Sequence, residues 1–135
     1  MLADFILRLC GNEPADFAGM TDGIASAECT LPVTTFGKIL NVFGHEHELG
    51  KSFRMTLNPG RPDEQVLLDI PRWDFDWQML YEPLDDIILS PGDRLKIECE
   101  WDRSLRDTTL EPAYVLWADG TDDEMCFATI TTRPL

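Results

Sequence analysis

The stretch Ser90-Pro91-Gly92-Asp93-Arg94-Leu95-Lys96-Ile97-Glu98-Cys99-Glu100-Trp101 decides how this chain folds. Leu95, Ile97, Cys99 and Trp101 share one face of an extended strand, and charged residues occupy the other. That alternation is what a sheet with one buried face requires. The Pro-Gly pair ahead of it has the chemistry of a type II turn, in which proline presets the first central residue and glycine takes the positive φ of the second. Asn58-Pro59-Gly60-Arg61 repeats the device between two further strand signals.

Working outward, strand signals recur at 4–9, 38–45, 51–57, 65–70, 77–81, 87–89, 94–101 and 125–132, while helix signals are weak. Many short strands divided by Pro and Gly turns predict an all-β chain: an antiparallel β-sandwich, jelly-roll-like, forming a single domain over 1–135. Residues 12–27 are rich in small side chains and read as a long loop, and 102–112 as a second, polar one. No internal repeat, low-complexity tract or linker interrupts the pattern.

The chain has 135 residues, 44% of them hydrophobic, enough for an ordinary globular core. Its net charge of −14, from 25 acidic against 11 basic residues, repels phosphate backbones and anionic membranes. Neither nucleic acid nor a membrane is therefore an expected partner, whereas cations are drawn in at low salt. Taken alone, the acidity needs no more explanation than solubility. No apolar run approaches the ~20 residues of a spanning helix. The opening Met1-Leu2-Ala3-Asp4-Phe5 lacks the basic start and apolar run of a signal peptide, so a mature or excised chain, or one begun at an added Met1, is expected.

Cys10, Cys29, Cys99 and Cys126 show no CxxC spacing, which excludes a zinc knuckle or a thioredoxin motif. An even count in a strand-rich chain suggests two disulfides and an oxidising, extracellular or periplasmic setting. Local pairing, Cys10–Cys29 and Cys99–Cys126, is preferred among the three connectivities, and each bridge is worth on the order of 3–3.5 kcal/mol on the chain-entropy model. Four buried free thiols are the alternative.

The only histidines, His45 and His47, lie one residue apart in Gly44-His45-Glu46-His47. On a strand both rings point to one face, together with Phe43, while Leu40, Val42 and Gly44 share the other and can pack into the core. Downstream, Met125 offers a thioether. Two imidazoles and a thioether form a soft set that suits copper, Cu(I) above all. The plainer readings are a pair of solvated histidines beside Glu46 and Glu48, which spacing alone favours slightly, and a Met125 that fills space beside a disulfide. Met20, Met55 and Met79 compete as thioether donors. The spacing does not fit the zinc-protease motif, which needs three residues between its histidines on a helix.

From Cys29 to its end the sequence resembles the C-terminal domain of the ascorbate-dependent type II copper monooxygenases, the peptidylglycine α-hydroxylating and dopamine β-monooxygenase family with its bacterial relatives. The resemblance rests on Cys29, His45-Glu46-His47-Glu48-Leu49-Gly50, Trp77-Gln78 with Tyr81, Ser90-Pro91-Gly92-Asp93, the Cys99 strand and Gly120-Thr121-Asp122-Asp123-Glu124-Met125-Cys126, in that order. It implies one copper ion held by His45, His47 and Met125, a Cys99–Cys126 disulfide, and C–H hydroxylation using O₂ and a reductant such as ascorbate. Each ligating histidine should give its second N–H to an outer acceptor, with Glu46 and Gln78 as candidates.

Three departures shape what the resemblance implies. The family enzymes carry an N-terminal domain with a second copper on three histidines, whereas both histidines of this chain are spent on one site. Phe43 stands where the peptide-amidating member has an arginine, and Phe127 and Thr129 replace its peptide-binding Asn and Tyr. Peptide amidation is therefore not expected; a different, more apolar small organic substrate is. The rival readings are a copper-carrying sandwich without turnover and a structural domain whose histidines are incidental.

Overall fold

A computed structural model describes residues 10–11, 23–110 and 120–135. Among the described residues, seven strands run in order: β1 (Ile24–Pro32), β2 (Gly37–His45), β3 (Gly50–Leu57), β4 (Gln65–Ile70), β5 (Ile88–Leu89), β6 (Arg94–Asp102) and β7 (Phe127–Arg133), with a short 3-10 turn, Arg103–Leu105, after β6. They form a four-stranded sheet, β1-β6-β3-β4, and a three-stranded sheet, β5-β2-β7, and every pairing is antiparallel. The all-β, sandwich-like architecture is the one expected.

The deciding strand sits inside the larger sheet, between β1 and β3. Ile97, Cys99 and Trp101 are buried in the core, and Leu95 packs at its margin. They meet Phe53 and Met55 of β3 and Ile39 and Val42 of β2 in one hydrophobic cluster. Both Pro-Gly turns close as expected: Arg61 N donates to Asn58 O at 3.1 Å and Asp93 N to Ser90 O at 3.0 Å, with Gly60 at φ 75° and Gly92 at φ 100°. Buried Asn58 ties the turns together, its amide donating to Asp63 and Asp93, each at 2.9 Å, and accepting from Arg94 N.

Four expectations need correction or completion. First, the stretch from Ile24, expected to be loop as far as residue 27, is strand β1, paired along its whole length with β6. Its inward residues include Ala25 and Ala27, whose small side chains carry little strand signal; residues 12–22 of that loop lie outside the described residues. Second, the strand expected at 77–81 shrinks to one bridge, Val42 with Tyr81. Asp76 N donates to the Asp74 carboxylate in an Asx turn, Trp77 N donates to Asp74 O, and Pro83 follows, so little of the segment can join a ladder.

Third, Leu40 does not share the core face with Val42 and Gly44. The β2–β7 register shifts between Ile39 and Asn41, so Ile39 points inward while Leu40 is 39% exposed. Such a bulge moves every later side chain to the opposite parity. Fourth, the last strand begins at Phe127, leaving Met125 and Cys126 ahead of it. The strand expected at 4–9 lies outside the described residues.

Candidate metal centre

Val42 and Gly44 face the core, so Phe43 and His45 stand on the other side of β2, and His47 follows just past the strand's end, buried. Gly44 permits this closeness between the sheets: a Cβ there would lie 2.4 Å from the Phe53 ring. Beyond the strand, Gly50 gives the same freedom, since a Cβ would come within 2.4 Å of Trp73 and 2.8 Å of Glu46 Cβ. The two imidazoles meet edge to face with centroids 5.1 Å apart, and Phe43 stacks on His45 at 6.2 Å.

The β2–β7 ladder pairs Phe43 with Thr129, Gly44 with Ala128 and His45 with Phe127. The ladder ends at that last pair, and His47 and Met125 each lie two residues beyond it. The chain before Met125 closes over His47, with Glu48 N donating to Thr121 O at 3.2 Å, and His47 is only 4% exposed. Burial, and then the neighbouring His45, hold the His47 imidazole below its ordinary pKa, while the carbonyls of Asp123 and Gly120 favour its charged form. Its Nδ1 is buried with no hydrogen-bond partner.

His45 is oriented by Gln78. Gln78 Nε2 donates to Phe75 O at 2.7 Å, which fixes the amide so that Oε1 faces His45 Nδ1 at 2.5 Å. Nδ1 therefore carries the ring proton and Nε2 keeps its lone pair free. Of the two acceptors expected from sequence, Gln78 fills the role for His45 and Glu46 does not.

Glu46 turns inward instead. It is fully buried, neither carboxylate oxygen has a hydrogen-bond partner, and burial, then Glu100 and Glu124, push its pKa up to about 10. The side chain between the histidines is thus a neutral acid in the core. As the residue after outward-facing His45, Glu46 takes the inward side that strand alternation assigns it.

Met125 is half-buried, and the residues on both sides of it are fixed to β6 and its 3-10 turn. Glu124 forms a two-point ion pair with Arg103, Nε to Oε1 at 2.5 Å and Nη2 to Oε2 at 3.2 Å, with both side chains fully buried. Met125 O accepts from Trp101 Nε1 at 3.2 Å. Cys126 is disulfide-bonded to Cys99, and Cys10 to Cys29, so both expected pairings are present and no described cysteine is free. Among the rival thioethers, Met55 is sealed in the core, Met79 is 47% exposed beside Gln78, and Met20 lies outside the described residues.

Among the described residues, no group of three or more His, Cys, Asp and Glu side chains is arranged to hold a metal ion. A metal on this face would need donors beyond that set, and a thioether on the loop covering His47 is of the matching kind. The free Nε2 of His45 and the orphaned, buried Nδ1 of His47 fit a soft nitrogen–sulfur donor set. In comparisons with known proteins, no family model and no curated protein matches the chain.

Proposed function

We propose that the chain binds one copper ion through His45, His47 and Met125 and serves as the O₂-activating domain of a monooxygenase-like oxidoreductase. The supporting observation is the pair of imidazoles 5.1 Å apart at the end of β2, with the ring proton of His45 engaged by Gln78. When bound by two imidazoles and a thioether, copper supplies one-electron chemistry that turns O₂ and a reductant such as ascorbate to C–H hydroxylation. The protein's part is positional. Gln78 fixes the His45 tautomer, burial keeps His47 in the neutral form a metal requires, and the residues around Met125 anchor the sulfur-bearing loop.

Phe43 and Phe127 flank His45, along the strand and across the ladder, which favours an apolar organic substrate over a peptide terminus. Both histidines serve one site, so electrons come from a small reductant or from a second copper-bearing domain. Two disulfides are consistent with an oxidising compartment, and we place the protein in the extracellular or periplasmic space.

Ascorbate-driven O₂ uptake by copper-loaded protein tests the reading. Uptake that depends on copper and disappears in His45→Ala supports it. The 4% exposure of His47 favours a second reading, a carrier that shields its metal. A Cu(I) form that survives in air without consuming O₂ would select the carrier.

A further inference from the structure

We propose that Arg103 and Glu124 are positioning residues for the Met125 thioether, and that their buried ion pair sets the sulfur's approach to the metal. The inference rests on the reading of Met125 as a ligand. Three consecutive residues, 124 to 126, are tied to three alternate residues of one segment: Glu124 to Arg103, Met125 O to Trp101 and Cys126 to Cys99. Met125 precedes β7, which starts at Phe127, so its backbone lies outside the β2–β7 ladder. These ties hold Met125 through its own carbonyl and through the residue on either side.

The disulfide anchors one end of the tripeptide and would leave it free to pivot. The ion pair anchors the other. Arginine suits this task because its planar fork sets direction as well as distance, which a lysine ammonium does not. Arg103 is itself held by its backbone: its N donates to Gly23 O at 2.9 Å, and its O accepts from Arg106 N. Stability alone does not account for the pair. A buried ion pair is often no better than a well-packed apolar pair of similar volume, and its best-attested benefit is to specify register.

The test is Cu(I) affinity, measured by competition with a chromophoric Cu(I) chelator, in wild type, Glu124→Gln, Met125→Ile and the double variant. Glu124→Gln should weaken Cu(I) binding about tenfold when Met125 is present, the scale expected for outer-shell ligand supports. In the Met125→Ile background it should change affinity by less than about twofold, because residues acting through one another are non-additive. Equal losses in both backgrounds would overturn the proposal and leave the pair a merely structural role. If Met125→Ile alone leaves Cu(I) affinity unchanged, thioether ligation fails and the inference falls with it.

Should unpaired Arg103 prevent Glu124→Gln from folding, Arg103→Met combined with Glu124→Leu removes the fork while keeping an apolar pair. That variant should melt near wild type and still lose about tenfold in Cu(I) affinity. Wild-type affinity in it would overturn the proposal.

Discussion

Gln78 Oε1 lies 2.5 Å from His45 Nδ1, a contact between residues 33 positions apart, and the Gln78 amide is oriented in turn by Phe75 O. This relay decides which nitrogen of His45 is free. Without it either tautomer is accessible and the ring can turn. Gln78→Ala should therefore lower copper affinity by about tenfold or more, the usual scale for loss of an outer-shell partner. The stability cost should be about 1–3 kcal/mol, for two partly buried hydrogen bonds. Chelator competition reads the first quantity and urea unfolding of the metal-free protein the second.

Glu46 makes the metal-free fold sensitive to pH. Its folded pKa of about 10 lies far above the ordinary glutamate value of 4.5, so the folded state holds a proton that the unfolded chain releases. That stabilising contribution is complete below pH 4.5 and is lost as pH rises toward 10, at up to about 1.4 kcal/mol per pH unit. Glu46→Gln, which cannot ionise, should remove this loss. Denaturant melts at pH 5 and pH 8 should show the variant gaining on wild type at the higher pH.

Cys99–Cys126 closes a separation of 27 residues and anchors the Met125 segment. The paired replacement Cys99→Ala with Cys126→Ala should cost about 3.5 kcal/mol on the chain-entropy model. It should also weaken Cu(I) binding more than Cu(II) binding, because the soft thioether matters most to the reduced ion. Calorimetry and separate titrations of the two oxidation states check both.

Gly44→Ala would place a methyl group 2.4 Å from the Phe53 ring. Because backbone and ring are both confined, overpacking of about 1–3 kcal/mol is expected, together with a displaced β2. A lowered melting temperature and a weakened histidine site should appear together.

The parts of the fold legible in sequence are those where large apolar residues alternate. β6 stands out because Ile97, Cys99 and Trp101 carry the pattern, and both Pro-Gly turns follow from local φ preferences. β1 escaped because Ala25 and Ala27 contribute little hydropathy to the inward face. The bulge that turns Leu40 outward is set by pairing with β7, which no local pattern reveals. At the site, period two accounts for the shared side of Phe43 and His45, whereas His47 lies beyond β2 and is buried beside the 120–123 segment. The choice of Gln78 as partner, and the burial of Arg103 against Glu124, are contacts between distant segments. Charged residues read one at a time look solvated, and only the fold brings these into the core.

Copper K-edge X-ray absorption on the Cu(I)-loaded protein tests the His45, His47 and Met125 ligand set. Two imidazole nitrogens and one sulfur scatterer are expected, with the sulfur lost in Met125→Ile. A wild-type spectrum without sulfur, or a sulfur shell that persists in Met125→Ile, would contradict that ligand set.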